Sequence, residues 1–203
     1  FTSTTIDATK LTGNLPAINA SALTNLTAAN LTGALPAISG AALTGIDEEG
    51  VTISDTWEMS TDFNATSITP IVNWSAGDGV CVANKGTAMS HSSGVFTFPT
   101  TGTWLVTISP QIYKSGDCRQ MECRIQSSNN GGASWHTICT VDMNTNQGSE
   151  GSNVHAGAFA AVMFNCYSTS DAKVRFTGSG TQQVTWYGSS GRFLSSFTRL
   201  GEA

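Results

Sequence analysis

The sequence predicts an all-β protein in two parts: a repetitive shaft of intertwined chains, and a β-sandwich or jelly-roll head. Three observations predict it. A twenty-residue repeat occupies the first fifty residues, and Phe1 apart every aromatic lies at or beyond Trp57. The aromatic-bearing part alternates apolar and polar residues with period two between turns rich in Gly, Ser and Asn, which is strand patterning rather than helix patterning. The expected boundaries are a shaft over 1–50, a connector over 51–64 and a head over 65–203.

The repeat is explicit. Leu11-Thr12-Gly13-Asn14-Leu15-Pro16-Ala17-Ile18 returns as Leu31-Thr32-Gly33-Ala34-Leu35-Pro36-Ala37-Ile38, and Leu23-Thr24 returns as Leu43-Thr44. Ten of the sixteen positions from 11 to 26 match their counterparts from 31 to 46. A coiled coil would also space Leu and Ile every three or four residues. Here Pro16 and Pro36 remove helical donors, Gly13 and Gly33 weaken the helix further, and gaps of five break the heptad. Short extended segments joined by turns remain. One chain of this composition cannot bury so thin an apolar line, and stacked repeats need about three units to be stable. Several copies around a common axis would bury Leu11, Leu15, Ile18, Leu23 and Leu26 with Leu31, Leu35, Ile38, Leu43 and Ile46. A disordered linker is the competing reading, and it does not explain the register.

Asp47-Glu48-Glu49-Gly50 marks the charged boundary. Beyond it, strands are expected at Val95–Phe98, Trp104–Ile108, Met121–Gln126, Trp135–Val141, Ala158–Phe164, Lys173–Phe176, Gln183–Tyr187 and Arg192–Leu200. The Pro99-to-Gly102 segment turns the chain between the first two, and Gly102 is expected to need positive φ.

Composition excludes several classes. Charged residues make up only 11% of the chain, and a net charge of −5 with no basic run argues against nucleic acid as a partner. No apolar run reaches the roughly 18 residues of a membrane span, so no membrane insertion is expected. No basic-then-apolar leader opens the sequence, and the start at Phe1 suggests a processed product or a piece of something longer, with more shaft upstream. The cysteines Cys81, Cys118, Cys123, Cys139 and Cys166 are odd in number and lack metal spacing; they read as buried free thiols, with a disulfide framework as the alternative. His91, His136 and His155 form no metal motif. Asp78 and Asp142 lie near loops but lack the spacing of a calcium site. Neither a metal nor any other cofactor is expected. A nucleophile elbow, a phosphate-cradling loop and paired carboxylates for glycoside hydrolysis are also missing, so a polysaccharide-degrading tip is disfavoured and no enzyme is expected.

Ser93-Gly94-Val95-Phe96-Thr97-Phe98-Pro99-Thr100-Thr101-Gly102-Thr103-Trp104 resembles the Gly-x-Phe-x-x-Pro-x-x-Gly-x-Tyr signature of the complement-type globular head, a tumour-necrosis-factor-like (TNF-like) jelly roll. Gly94, Phe96, Pro99 and Gly102 stand in register, with Trp104 at the Tyr position. The closing Phe193–Leu200 segment resembles that family's terminal strand. The Leu-Thr-Gly…Leu-Pro-Ala-Ile shaft is similar to those of bacteriophage tail fibres and other appendages. Both resemblances imply a homotrimer. Together they imply a virion fibre at the particle surface, its N-terminal side joined to other virion proteins. Its head would bind a host-surface glycan or protein receptor; a purely structural collar or decoration fibre is the alternative. Loops that expose aromatics amid small polar residues are the candidate contact sites, which nominates Trp135, His136 and Tyr187. The competing reading places Trp135 and Trp186 in the core.

Overall fold

The computed structural model describes residues 50–77, 84–115, 118–145, 153–188 and 191–203. The expected shaft core from Leu11 to Ile46 lies outside the described residues, as do Asp78 and Cys81. The described residues belong to one unit, Asp47–Ala203.

The strands in chain order are β1 (Ser54–Met59), β2 (Phe63–Ala65), β3 (Thr69–Pro70), β4 (Trp74–Ala76), β5 (Ser90–Ser92), β6 (Val95–Thr97), β7 (Gly102–Ser109) and β8 (Gln111–Ser115). They continue with β9 (Cys118–Asn129), β10 (His136–Thr145), β11 (Asn153–Gly157), β12 (Ala160–Cys166), β13 (Ala172–Gly180), β14 (Val184–Trp186) and β15 (Leu194–Gly201). No helix occurs among the described residues. All pairings are antiparallel and form three sheets. One runs β12-β7-β15-β1-β4, a second β10-β9-β13-β6-β5 with β3 against β13, and a smaller third β11-β8-β14-β2. The first two are the layers of the expected sandwich. The third extends the sandwich where β7 passes through Pro110 into β8.

Alternation builds the layers. Along β7, Gly102, Trp104, Val106 and Ile108 are buried while Thr103, Leu105, Thr107 and Ser109 are half-exposed. The period of two puts every second side chain on the core face. Phe96 sits at the centre, with its ring against Trp57, Trp74, Phe176 and Phe197 at 4.9–5.8 Å. Phe98 packs on Trp104 and stacks on Phe164. Phe96, Phe98 and Trp104 thus fill the sandwich as the signature implied.

Two turns explain the signature's glycines. Ser93 (φ 49°) and Gly94 (φ 84°) form the two-residue loop between β5 and β6, where Ser92 faces Val95. Positive φ at both positions is the hairpin geometry that matches strand twist, and it favours glycine. Gly102 has φ 145°, and a Cβ there would stand 2.6 Å from both the Gly201 carbonyl and the Arg199 Nε.

The expected connector 51–64 is corrected. β1 pairs with β15 from Ser54↔Thr198 to Glu58↔Leu194, and Met59 is fully buried. Asp55 is buried too, and its Oδ2 accepts from the Trp57 indole at 2.8 Å and the Met89 amide at 2.7 Å. A segment without long apolar runs reads as a tether, yet one central strand needs only alternate positions inside. The strand expected at Trp135 begins at His136, and that expected at Ala158 begins at Ala160.

Candidate functional site

The three nominated residues separate into two places. Trp135 and His136 follow the β9–β10 turn. Here the Ser128 Oγ accepts from the Gly132 amide at 2.9 Å, and the Asn130 Oδ1 accepts from the Ser134 amide at 3.0 Å. Tyr187 follows β14, and its amide donates to the Gln111 carbonyl at 2.9 Å. β12 pairs Phe164 with Trp104 and Asn165 with Thr103 near the His136 end. From Thr103 to Gln111 is roughly 25 Å of extended chain, so these are opposite ends of the sandwich.

Trp135 is half-buried. The Arg175 guanidinium lies 4.3 Å from its ring centroid while Arg175 Nε donates to Gln126 Oε1 at 2.8 Å. Burial pulls the Arg175 pKa below its ordinary value. Much of the Trp135 face therefore serves a cation–π contact within the chain. Trp186 is fully buried in the core.

His136 borders a cleft of about 400 Å³ with Asn129, Phe164, Asn165, Tyr167 and Asp171. Here the open sides of the two large sheets approach each other at β10 and β12. Ser168 Oγ donates to Asp171 Oδ2 at 2.9 Å, and Asn165 Nδ2 donates to the Tyr167 hydroxyl at 3.1 Å. Among the described residues no three His, Cys, Asp or Glu side chains converge as metal ligands. The chemistry on offer is hydrogen bonding beside two rings.

One row was missed by the sequence reading. β12 is an edge strand, and its odd positions continue from Phe159 through Met163 to Tyr167, which are 66%, 65% and 73% exposed. Core-facing Ile138, Val141, Val162 and Phe164 beside it are only partly buried. The row was legible as a second apolar face over 159–167, offset by one from the expected core face.

The third sheet is two-faced. Ile112, Val184, Trp186 and Ala65 are buried on one side. On the other, Tyr113 pairs with both His155 and Thr185, and Thr185 pairs with Asn64. Cross-strand partners share a face, so these side chains form one row. Tyr187, two residues beyond Thr185, joins them. Its ring lies 4.6 Å from Tyr113, stacks on His155 at 5.6 Å and 10°, and has the Arg192 guanidinium 4.6 Å away. Sequence reading found Tyr187 alone, because Tyr113, His155 and Arg192 come from three separate segments.

Packing sets the state of His91 and of the buried cysteines. Burial lowers the His91 pKa from its ordinary 6.5, and its Nε2 accepts from the Gly94 amide at 3.0 Å. Cys118, Cys123 and Cys166 are buried free thiols and Cys139 is a half-buried one. Burial, and secondarily Cys139, pushes the Cys123 thiol up, which keeps it protonated and unreactive. No described helix is long and apolar enough to cross a membrane.

No protein-family model matches the chain, and no curated protein is similar to it in sequence. Solved structures are similar in fold. Eiger TNF from S. frugiperda aligns at a TM-score of 0.58 and 13% identity over 76% of this chain and 96% of its own. Murine APRIL aligns at a TM-score of 0.53 and 11% identity over 73% and 98%. PRD1 vertex protein P5 aligns at 0.48 and 13% over 75% and 99%. With the sheet order above, the Eiger and APRIL alignments establish the head as a TNF-like jelly roll.

Proposed function

We propose that the chain is a homotrimeric virion fibre protein. Its N-terminal side joins other virion proteins, and its head lies at the particle surface and binds a host-surface glycan or protein without turning it over. The observation that carries the assembly is the exposed apolar row Phe159, Met163 and Tyr167 on edge strand β12, beside a sandwich edge whose core residues are only partly covered. An edge strand with large apolar side chains invites pairing or aggregation unless another surface covers it. A second copy supplies that surface, and the shaft repeat independently calls for several chains around one axis. The similarity of the repeat to phage appendages supports the fibre role, and the polar-aromatic loops and faces at both ends of the head support ligand binding.

Sedimentation of the full chain tests the assembly: the expected mass is three times 21.2 kDa. A monomer at micromolar concentration would overturn it. Retention of the chain on whole bacterial cells, which display both glycans and proteins, tests the attachment role, and a trimer retained by no strain would leave a purely structural fibre.

A further inference from the structure

We propose that the solvent face of the β10-β9-β13-β6-β5 sheet binds a carboxylated sugar, with the two terminal nitrogens of Arg175 taking the carboxylate. This names the ligand class for the host-attachment reading and rests on it. The face belongs to the opposite layer of the sandwich from the Phe159, Met163 and Tyr167 row, so a copy seated on that row leaves it open. Strand β9 stands between Arg175 on β13 and the partly covered edge at β10.

Register assembles the site. Thr137 pairs with Gln126, Gln126 with Arg175, Arg175 with Val95, and Val95 with Ser92. Cross-strand partners share a face. Ile125, Val174, Phe176 and Phe96 next to them in the chain are buried in the core, so by alternation this row points to solvent. The row beside it carries Lys173, Thr97 and Ser90 in register. The hydroxyls of exposed Ser90 and Ser92 and half-exposed Thr97 thus lie on the strands next to the guanidinium, within about 10 Å. A few such placed polar groups fix the orientation of a bound ring.

The guanidinium is held before any ligand arrives. It lies 4.3 Å from the Trp135 ring centroid, and its Nε donates to Gln126 Oε1 at 2.8 Å. Gln126 is itself buried and donates through Nε2 to Thr137 Oγ1 at 3.2 Å, which fixes the acceptor. The indole sets the plane of the fork and the amide sets one edge. The ion pairs among the described residues are Arg124–Glu122 and Arg199–Glu202, so the terminal nitrogens of Arg175 have no carboxylate there. None of its register partners is acidic. On the same face Glu122 is bonded by Arg124 and Gln120. Lys173 Nζ, two residues from Arg175, donates to the Thr169 carbonyl at 2.8 Å. One uncommitted fork therefore meets one negative charge, and a planar guanidinium matches a planar carboxylate through two parallel N–H···O bonds. A doubly charged phosphate would need a second free cation.

The test is titration calorimetry of the full chain with galacturonic acid, galactose and galactose 6-phosphate, galactose having the galacturonic ring without its carboxylate. Galacturonic acid should bind about tenfold or more tightly than galactose. Arg175→Gln should bring it down to the level of galactose, with the far-ultraviolet spectrum and sedimentation of wild type. Arg175→Lys, which keeps the charge and the stem without the fork, should lose most of the preference. Trp135→Ala should weaken galacturonic acid and leave galactose unchanged. Equal affinity for galacturonic acid and galactose, no binding of the acid at millimolar concentration, or an acid preference that survives Arg175→Gln would each overturn the proposal. So would tighter binding of galactose 6-phosphate than of galacturonic acid. Retention on whole bacterial cells, unaffected by Arg175→Gln, would sink this site while leaving host attachment standing. Acid binding that depends on Arg175, without retention on any strain, would do the reverse.

Discussion

Two solvent faces of the head follow the same alternation and end in different chemistry. Outside β12, Phe159, Met163 and Tyr167 stand on an edge strand beside a half-covered core. Outside the β11-β8-β14-β2 sheet, Tyr113, His155 and Tyr187 stand among Thr185, Asn64 and Arg192. Both faces expose rings. Only the second has a cation against its rings. An apolar row at a sandwich edge gains most from a large dry surface, which another copy of the chain would provide. Rings flanked by polar groups gain from a ligand that needs both. Aromatic exposure alone is therefore a poor guide to a binding site; its polar company decides what covers it.

The comparison can be broken most forcefully with one residue type. Phe96→Ala should cost about 3–5 kcal/mol by emptying the centre of the core, whereas Phe159→Ser should weaken the assembly and leave the far-ultraviolet spectrum of each subunit unchanged. If Phe159→Ser abolishes that spectrum as Phe96→Ala does, Phe159 belongs to the core of the subunit. Gly102→Val should come next. Its positive φ and the approach of the Gly201 carbonyl set a cost of about 3 kcal/mol, a melting shift of about 6–12 °C. An unchanged melting temperature would mean the turn relaxes without strain.

If the repeat packs as an intertwined shaft, Leu35→Asn should cost about 1.5–3 kcal/mol in each chain and speed protease cleavage between residues 1 and 50, while Asn14→Ala should not. Equal cleavage of wild type and Leu35→Asn would reduce the repeat to a tether. The smallest effect concerns pH. Because burial depresses the His91 pKa, the unfolded chain takes up the proton first as pH falls. Its contribution to stability is present above pH 6.5 and is lost as pH drops through that value toward the lower folded one. His91→Gln should flatten melting temperature against pH there; an unaltered slope would assign it to other groups.

Much of the fold was legible because it rests on local pattern. The β6–β7 signature carries its own turn, and β7, β13 and β15 announce buried faces by alternation. β1 was hidden, since Ser54–Met59 is short, carries a buried Asp55 whose partners Trp57 and Met89 are a fold-level matter, and lacks a second apolar run. The candidate site was legible only at Tyr187. Its neighbours Tyr113, His155 and Arg192 meet through register between strands far apart in sequence, which no periodicity encodes. Trp135 and His136 belong to one nominated loop and Tyr187 to another, and the two lie at opposite ends of the sandwich.

The central claim is that the β12 face is an interface between copies. Sedimentation velocity of wild type and Met163→Glu at micromolar concentration tests it most directly. Met163 is exposed and pairs outward with Leu105, so a charge there should spare the fold of each subunit. The expected result is a trimer for wild type and, for Met163→Glu, dissociated or markedly weakened heads with an unchanged far-ultraviolet spectrum. A wild type that sediments as a monomer, or a Met163→Glu trimer as tight as wild type, would contradict the account.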